Sequence, residues 1–160
     1  RLVSSGFGEL VASVTLANLV PAFAFVLQSG EWHRFLAMST FPLTALAMAT
    51  LMSFEFSDYA NDLKHAKQTF LVRVGWQQGI RFHALFVLAA YALIALAGSL
   101  GMPVSIAYPP FLSFPVALLQ IWLFRRIEEG KKPNWTALLL TSAVNTMLVL
   151  YLYLFAFWTR

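Results

Sequence analysis

A chain of 160 residues has the length of one soluble domain, but this one is 59% hydrophobic and only 11% charged, with a mean hydropathy of +0.70. Water is not its solvent; the composition is that of a polytopic membrane protein. The net charge of +4 sits in short loops with no basic stripe interleaved with aromatics, so no nucleic acid is expected as a partner, and the absence of cysteine excludes disulfides and thiolate metal sites.

Five runs are apolar and long enough to cross a bilayer, which takes about 20 residues each. The first covers about residues 10–28, with Glu9 at its start and Pro21 inside, where neighbouring groups can re-satisfy the carbonyl that proline frees. After the polar turn SGEWHR, with Trp32 as an interfacial anchor, the second run covers about 35–57 and leads straight into a charged stretch. The uncharged chain from Ala84 to Phe124 is too long for one helix. Gly101, Pro103, Pro109 and Pro110 divide it into a third span at about 80–101 and a fourth at about 108–127. Gly130 and Pro133 in the loop RRIEEGKKPN stop one helix and start the next, and the fifth span is about 135–158. The expected fold class is all-α: a single membrane domain, residues 1–160, built as a bundle of five transmembrane helices.

Five spans put the termini on opposite sides, and the basic residues divide unevenly between them. Arg1, Lys64, Lys67, Arg73, Arg81, Arg125, Arg126, Lys131 and Lys132 fall on one side, Arg34 and Arg160 on the other. The positive-inside rule makes the first side cytoplasmic and predicts a multi-pass protein of the cell membrane. The chain opens on Arg1 with no signal peptide legible, and it reads as a fragment or the second half of a longer protein.

The stretch from Asp58 to Gly75 concentrates the chemistry. Asp58 and Asp62 lie four apart, so if the second helix continues one more turn they share a face. Like charges at that spacing repel, which suits a cation better than it suits stability. Magnesium takes hard oxygen ligands and commonly bridges one or two carboxylates to substrate phosphates. Lys67 and Arg73 just downstream could meet the same phosphates. The alternative is a solvated loop with local ion pairs that are worth little, and spacing alone leaves both open.

Other polar residues are weaker candidates. His33 falls on the opposite side from His65 and His83, which argues against a three-histidine metal site. Asn18 and Asn145, near the middle of the first and fifth spans, suit interhelical hydrogen bonding or a cavity lining. Glu9 is an acid at the membrane edge, either functional or a helix-start residue favoured by the dipole. Trp122, Trp135 and Trp158 fit interfacial belts.

Two elements carry a resemblance. Gly6-Phe7-Gly8-Glu9 matches a G-x-G-E element, and Asp58, Asp62, Lys67, Thr69, Arg73 and Gly75 fall without a gap on a D-x-x-x-D motif followed by K-x-T-L and a V-R-L-G-like end. In this the chain resembles the UbiA superfamily of membrane prenyltransferases, within it the MenA-type branch of 1,4-dihydroxy-2-naphthoate polyprenyltransferases. The chain departs from that branch at Phe54, Glu55, Phe56 and Ser57, where asparagines and an arginine are usual, and at Ala66, where a glycine is.

The resemblance implies the last five helices of a nine-helix fold, and an enzyme that transfers a polyprenyl group from an allylic diphosphate to an aromatic, quinone-precursor acceptor in the membrane. It implies Mg2+ as cofactor, Asp58 and Asp62 as its catalytic ligands, and Lys67 and Arg73 as diphosphate contacts. The family's first aspartate motif has no counterpart here, so a missing N-terminal half is the expected partner and the 160 residues are expected to be inactive alone. The rival expectation is a non-catalytic membrane scaffold or carrier half that shares the fold.

Overall fold

The computed structural model describes residues 6–159; Arg1 and Arg160, which entered the charge count, lie outside the described residues. Those residues form no strand and five helices long and apolar enough to span a membrane: Gly8–Ser29, Arg34–Lys64, Trp76–Ser99, Val104–Glu128 and Trp135–Trp158. The all-α, five-span expectation holds. In hydrocarbon every backbone polar group must be satisfied within its own segment, which leaves an apolar chain of this kind little choice but helix.

The first span is interrupted by one wide turn. Thr15–Leu19 is π-helical and Pro21 follows in the first turn of the resumed α-helix. Proline has no N–H to donate, and a π-turn just ahead of it shifts the hydrogen-bond register so that the helix continues through. Gly30, in the left-handed region at φ 77°, returns its N–H to the Val26 carbonyl and ends the helix.

The second span is the central strut, packed against the first, third and fifth spans and against a short helix, Phe70–Val74. Its 31 residues amount to about 46 Å at 1.5 Å per residue, against a hydrocarbon core of about 30 Å. The sequence reading ended it near residue 57; it runs on to Lys64. The extra turns carry Asp58 and Asp62 beyond the apolar run on the same continuous helix. Gly75, at φ 82°, turns the chain from the short helix into the third span.

Two apolar clusters hold the bundle. The larger joins all but the first span through small and branched residues such as Ala49, Ala90, Ile94, Ala117 and Val149, and small residues let helix backbones approach closely. The smaller lies at the charged end, where Phe56, Leu71, Ile80, Phe124 and Leu138 are buried together. Trp76 sits edge-on to Phe56 at 5.0 Å and to Trp135 at 6.1 Å between ring centroids. Polar bonds stitch the middle: Tyr91 donates to Asn145 Oδ1 at 2.7 Å, and Thr50 and Thr146 hydroxyls meet at 2.8 Å. Asn145 is thus an interhelical bonding residue, as its position suggested.

Candidate functional site

The charged end is built around the foot of the second span. Glu55, Asp58 and Asp62 recur at spacings of three and four, which places them along one stripe of that helix. Asp58 is exposed, whereas Asp62 is only 4% exposed. The helix ends at His65, and Ala66 takes a left-handed conformation at φ 53°. That turn folds the chain back, so that the Lys67 N–H donates to the Asp62 backbone carbonyl at 2.9 Å and Lys67 Nζ lies 3.3 Å from Asp62 Oδ1. Asp62 Oδ2 is buried without a hydrogen-bond partner.

Beside this stripe the short helix Phe70–Val74 presents its N-terminus to three side chains from three parts of the chain. Glu9 Oε2 accepts from the Phe70 N–H at 3.3 Å, Glu55 Oε2 from Leu71 at 3.2 Å and Thr69 Oγ1 from Val72 at 3.2 Å. The first N–H groups of a helix have no intrahelical partner, and side-chain oxygens that accept from them satisfy donors that would otherwise be left unpaired. Glu9 therefore serves at the start of a helix other than its own. Glu55 adopts the same role, which its place in the sequence did not announce; its seven-residue spacing from Asp62 was the available signal.

The Gly6-Phe7-Gly8-Glu9 element packs directly on this segment. A Cβ at Gly6, which sits at φ 76°, would come within 3.2 Å of Arg73 Cδ and 3.4 Å of the Thr69 carbonyl. The Arg73 guanidinium lies over the Phe7 ring at 5.0 Å, a cation–π contact. The two elements that carried the family resemblance are thus physically one unit. Of the four predicted site residues, Asp62 and Lys67 are paired, Asp58 stands one turn before them, and Arg73 lies against the start of the first span.

No family model matches this chain, and no curated protein or solved structure matches it.

The remaining polar residues serve the fold. His83 is fully buried, with Gln120 Nε2 donating to its Nε2 at 2.7 Å and its ring 4.1 Å from that of Phe124. His33 caps the second span by accepting from the Phe35 N–H at 3.2 Å, and His65 is exposed with Nδ1 2.9 Å from the Asn61 carbonyl. No group of three His, Asp or Glu side chains converges as a metal cage among the described residues. Any cation at Asp58 and Asp62 would take the rest of its coordination from water or from a bound anion.

Proposed function

We propose that this chain is the C-terminal half of a UbiA-type, MenA-like prenyltransferase, a multi-pass protein of the cell membrane that moves a polyprenyl group from its diphosphate to an aromatic acceptor. The observation that carries the reading is Asp62: a buried carboxylate with one oxygen unpartnered, one helical turn from a second carboxylate and beside a lysine. Two carboxylates fit magnesium, which keeps several waters and shares substrate phosphates instead of demanding an all-protein cage. The metal supplies charge neutralisation to a departing diphosphate.

The chain's own residues do the rest. Asp58 and Asp62 would hold the cation from one helix that is continuous through both positions. Lys67, whose side chain is 64% exposed and paired with Asp62 at 3.3 Å, is able to turn to a phosphate oxygen once a cation takes over the neutralisation of the buried carboxylate, which would otherwise be left uncompensated. Arg73, held over Phe7, is the second basic residue assigned to the diphosphate in this reading. The apolar span beneath keeps the prenyl chain in the bilayer while the charged end, whose basic residues favour the cytoplasmic side, meets the diphosphate. The first aspartate motif comes from an N-terminal half, and the first span, the least covered of the five, offers a face for its helices.

The test is prenyl transfer by the full-length protein that contains this chain. Asp58→Ala and Asp62→Ala are each expected to abolish magnesium-dependent transfer; full activity in both sinks the assignment. A non-catalytic scaffold or carrier half is favoured by one observation, the Lys67 amine already seated on Asp62 Oδ1. It predicts that both variants leave membrane assembly and every measurable transfer reaction unchanged.

A further inference from the structure

A second feature of the charged end lies apart from Asp58 and Asp62. A groove of about 630 Å³ runs between the third and fourth spans. Consecutive spans run antiparallel, and along the groove both walls change character in the same direction. On the third span Leu88 and Leu85, both about half exposed, give way to Arg81; on the fourth, Ile121 gives way to Arg125 and then Glu128 and Glu129. From Leu88 to Arg81 the helix rises about 10 Å, so an apolar floor meets a charged rim within the depth of one lipid headgroup and upper acyl chain.

The rim carries both signs. Arg81 Nε stands 3.9 Å from Glu128 Oε1, too long for a hydrogen bond, with both side chains open to the surroundings. Arg125 and Glu129 complete a set of two guanidinium and two carboxylate groups; Glu129 Oε2 also lies 3.2 Å from Lys131 Nζ, an exposed pair that an incoming ammonium would have to displace at small cost. A headgroup that is only anionic gains from the arginines and is repelled by the glutamates. A choline headgroup satisfies the charges but has no N–H to donate. A phosphoethanolamine headgroup matches both: its phosphate accepts from guanidinium forks, and its ammonium donates to carboxylates.

We propose that this groove binds a bilayer phospholipid with a phosphoethanolamine headgroup, the phosphate at Arg81 and Arg125, the ammonium at Glu128 and Glu129, and an acyl chain along Leu85 and Leu88. The proposal is independent of the transferase reading, because none of these residues belongs to the aspartate stripe.

Native mass spectrometry of the full-length protein, released from nanodiscs of equal phosphatidylethanolamine, phosphatidylglycerol and phosphatidylcholine with identical acyl chains, reads the preference directly. Retention of phosphatidylethanolamine is expected to exceed the other two several-fold and to fall stepwise as its nitrogen is methylated. Arg81→Gln with Arg125→Gln brings its retention down to that of phosphatidylcholine, and Glu128→Gln with Glu129→Gln shifts the preference to phosphatidylglycerol. Equal retention of all three lipids, or insensitivity to methylation, overturns the proposal. Those two readouts need no variant, so they decide it even if a substituted protein fails to assemble.

Discussion

The Glu9 carboxylate accepts the backbone N–H of Phe70 at 3.3 Å, a bond between residues 61 positions apart. It ties the entry of the first span to the loop that carries the charged stretch. Glu55 makes the parallel bond to Leu71 from the second span, so two membrane helices hold a five-residue helix that could not persist alone, since isolated helices of that length are far below the size at which propagation outweighs nucleation.

Removing either acceptor should loosen the short helix selectively. Glu9→Ala and Glu55→Ala are each expected to cost about 1 kcal/mol, the usual worth of a lost cap, and to speed amide exchange over Phe70–Val74 while the third span keeps its protection. Hydrogen exchange in detergent or nanodiscs resolves the two regions. Unchanged exchange at Phe70 and Leu71 would show that the carboxylates do not hold the helix.

The same helix is seated from beneath by the absence of a side chain. Gly79, in the third span, is buried, and a Cβ there would run into Leu71 Cδ1 and come within 3.1 Å of Phe56. Gly79→Ala is therefore expected to destabilise by about 1–3 kcal/mol, the range for overpacking a tight core, and to displace Leu71, the one buried residue of the short helix. A lowered thermal midpoint, with faster exchange at Leu71, is the expected readout. No loss of stability would mean that the packing gives way cheaply.

Much of this end was legible as composition and not as contact. The five spans could be read because bilayer thickness and backbone satisfaction dictate their length and type. The continuation of the second span to Lys64 could not, because Ser57–Lys64 is polar and helix-compatible with neither glycine nor proline to mark a stop. The capping role of Glu55 could not be read because its partner is a main-chain N–H on a helix too short to leave a periodic signal. Ala66 carries no glycine to announce a turn, so its left-handed φ of 53° could not be read from the sequence.

Ala66 accordingly makes a test of the turn. A left-handed conformation costs an L-residue roughly 1–2 kcal/mol, while glycine adds back about 0.4–1 kcal/mol of unfolded-chain freedom. Ala66→Gly is expected to stabilise by about 0–1.6 kcal/mol on those figures. Ala66→Val, branched at Cβ, should destabilise and should release Lys67 from Asp62. Thermal unfolding of both variants checks the order Gly above Ala above Val; the reverse order would show that the chain does not turn left-handed there.

Asp62 separates a structural acid from a functional one. It is 4% exposed, its Oδ2 has no partner, and its Oδ1 lies 3.3 Å from an amine that is itself mostly in solvent. A buried carboxylate left half satisfied costs stability, and asparagine keeps its size while removing the charge. If the acid were there to hold the fold, Asp62→Asn would lower the thermal midpoint by breaking the Lys67 pair. If it is there to hold a cation, the same change should raise the midpoint through a gain in stability of no more than about 1–2 kcal/mol, while magnesium-dependent transfer by the full-length protein falls further than the roughly 10–100-fold typical of lost outer-shell partners. Sites that carry function commonly trade stability for it. A variant both less stable and fully active would make Asp62 a structural acid held by Lys67, and with it the strongest support for the transferase reading would be gone.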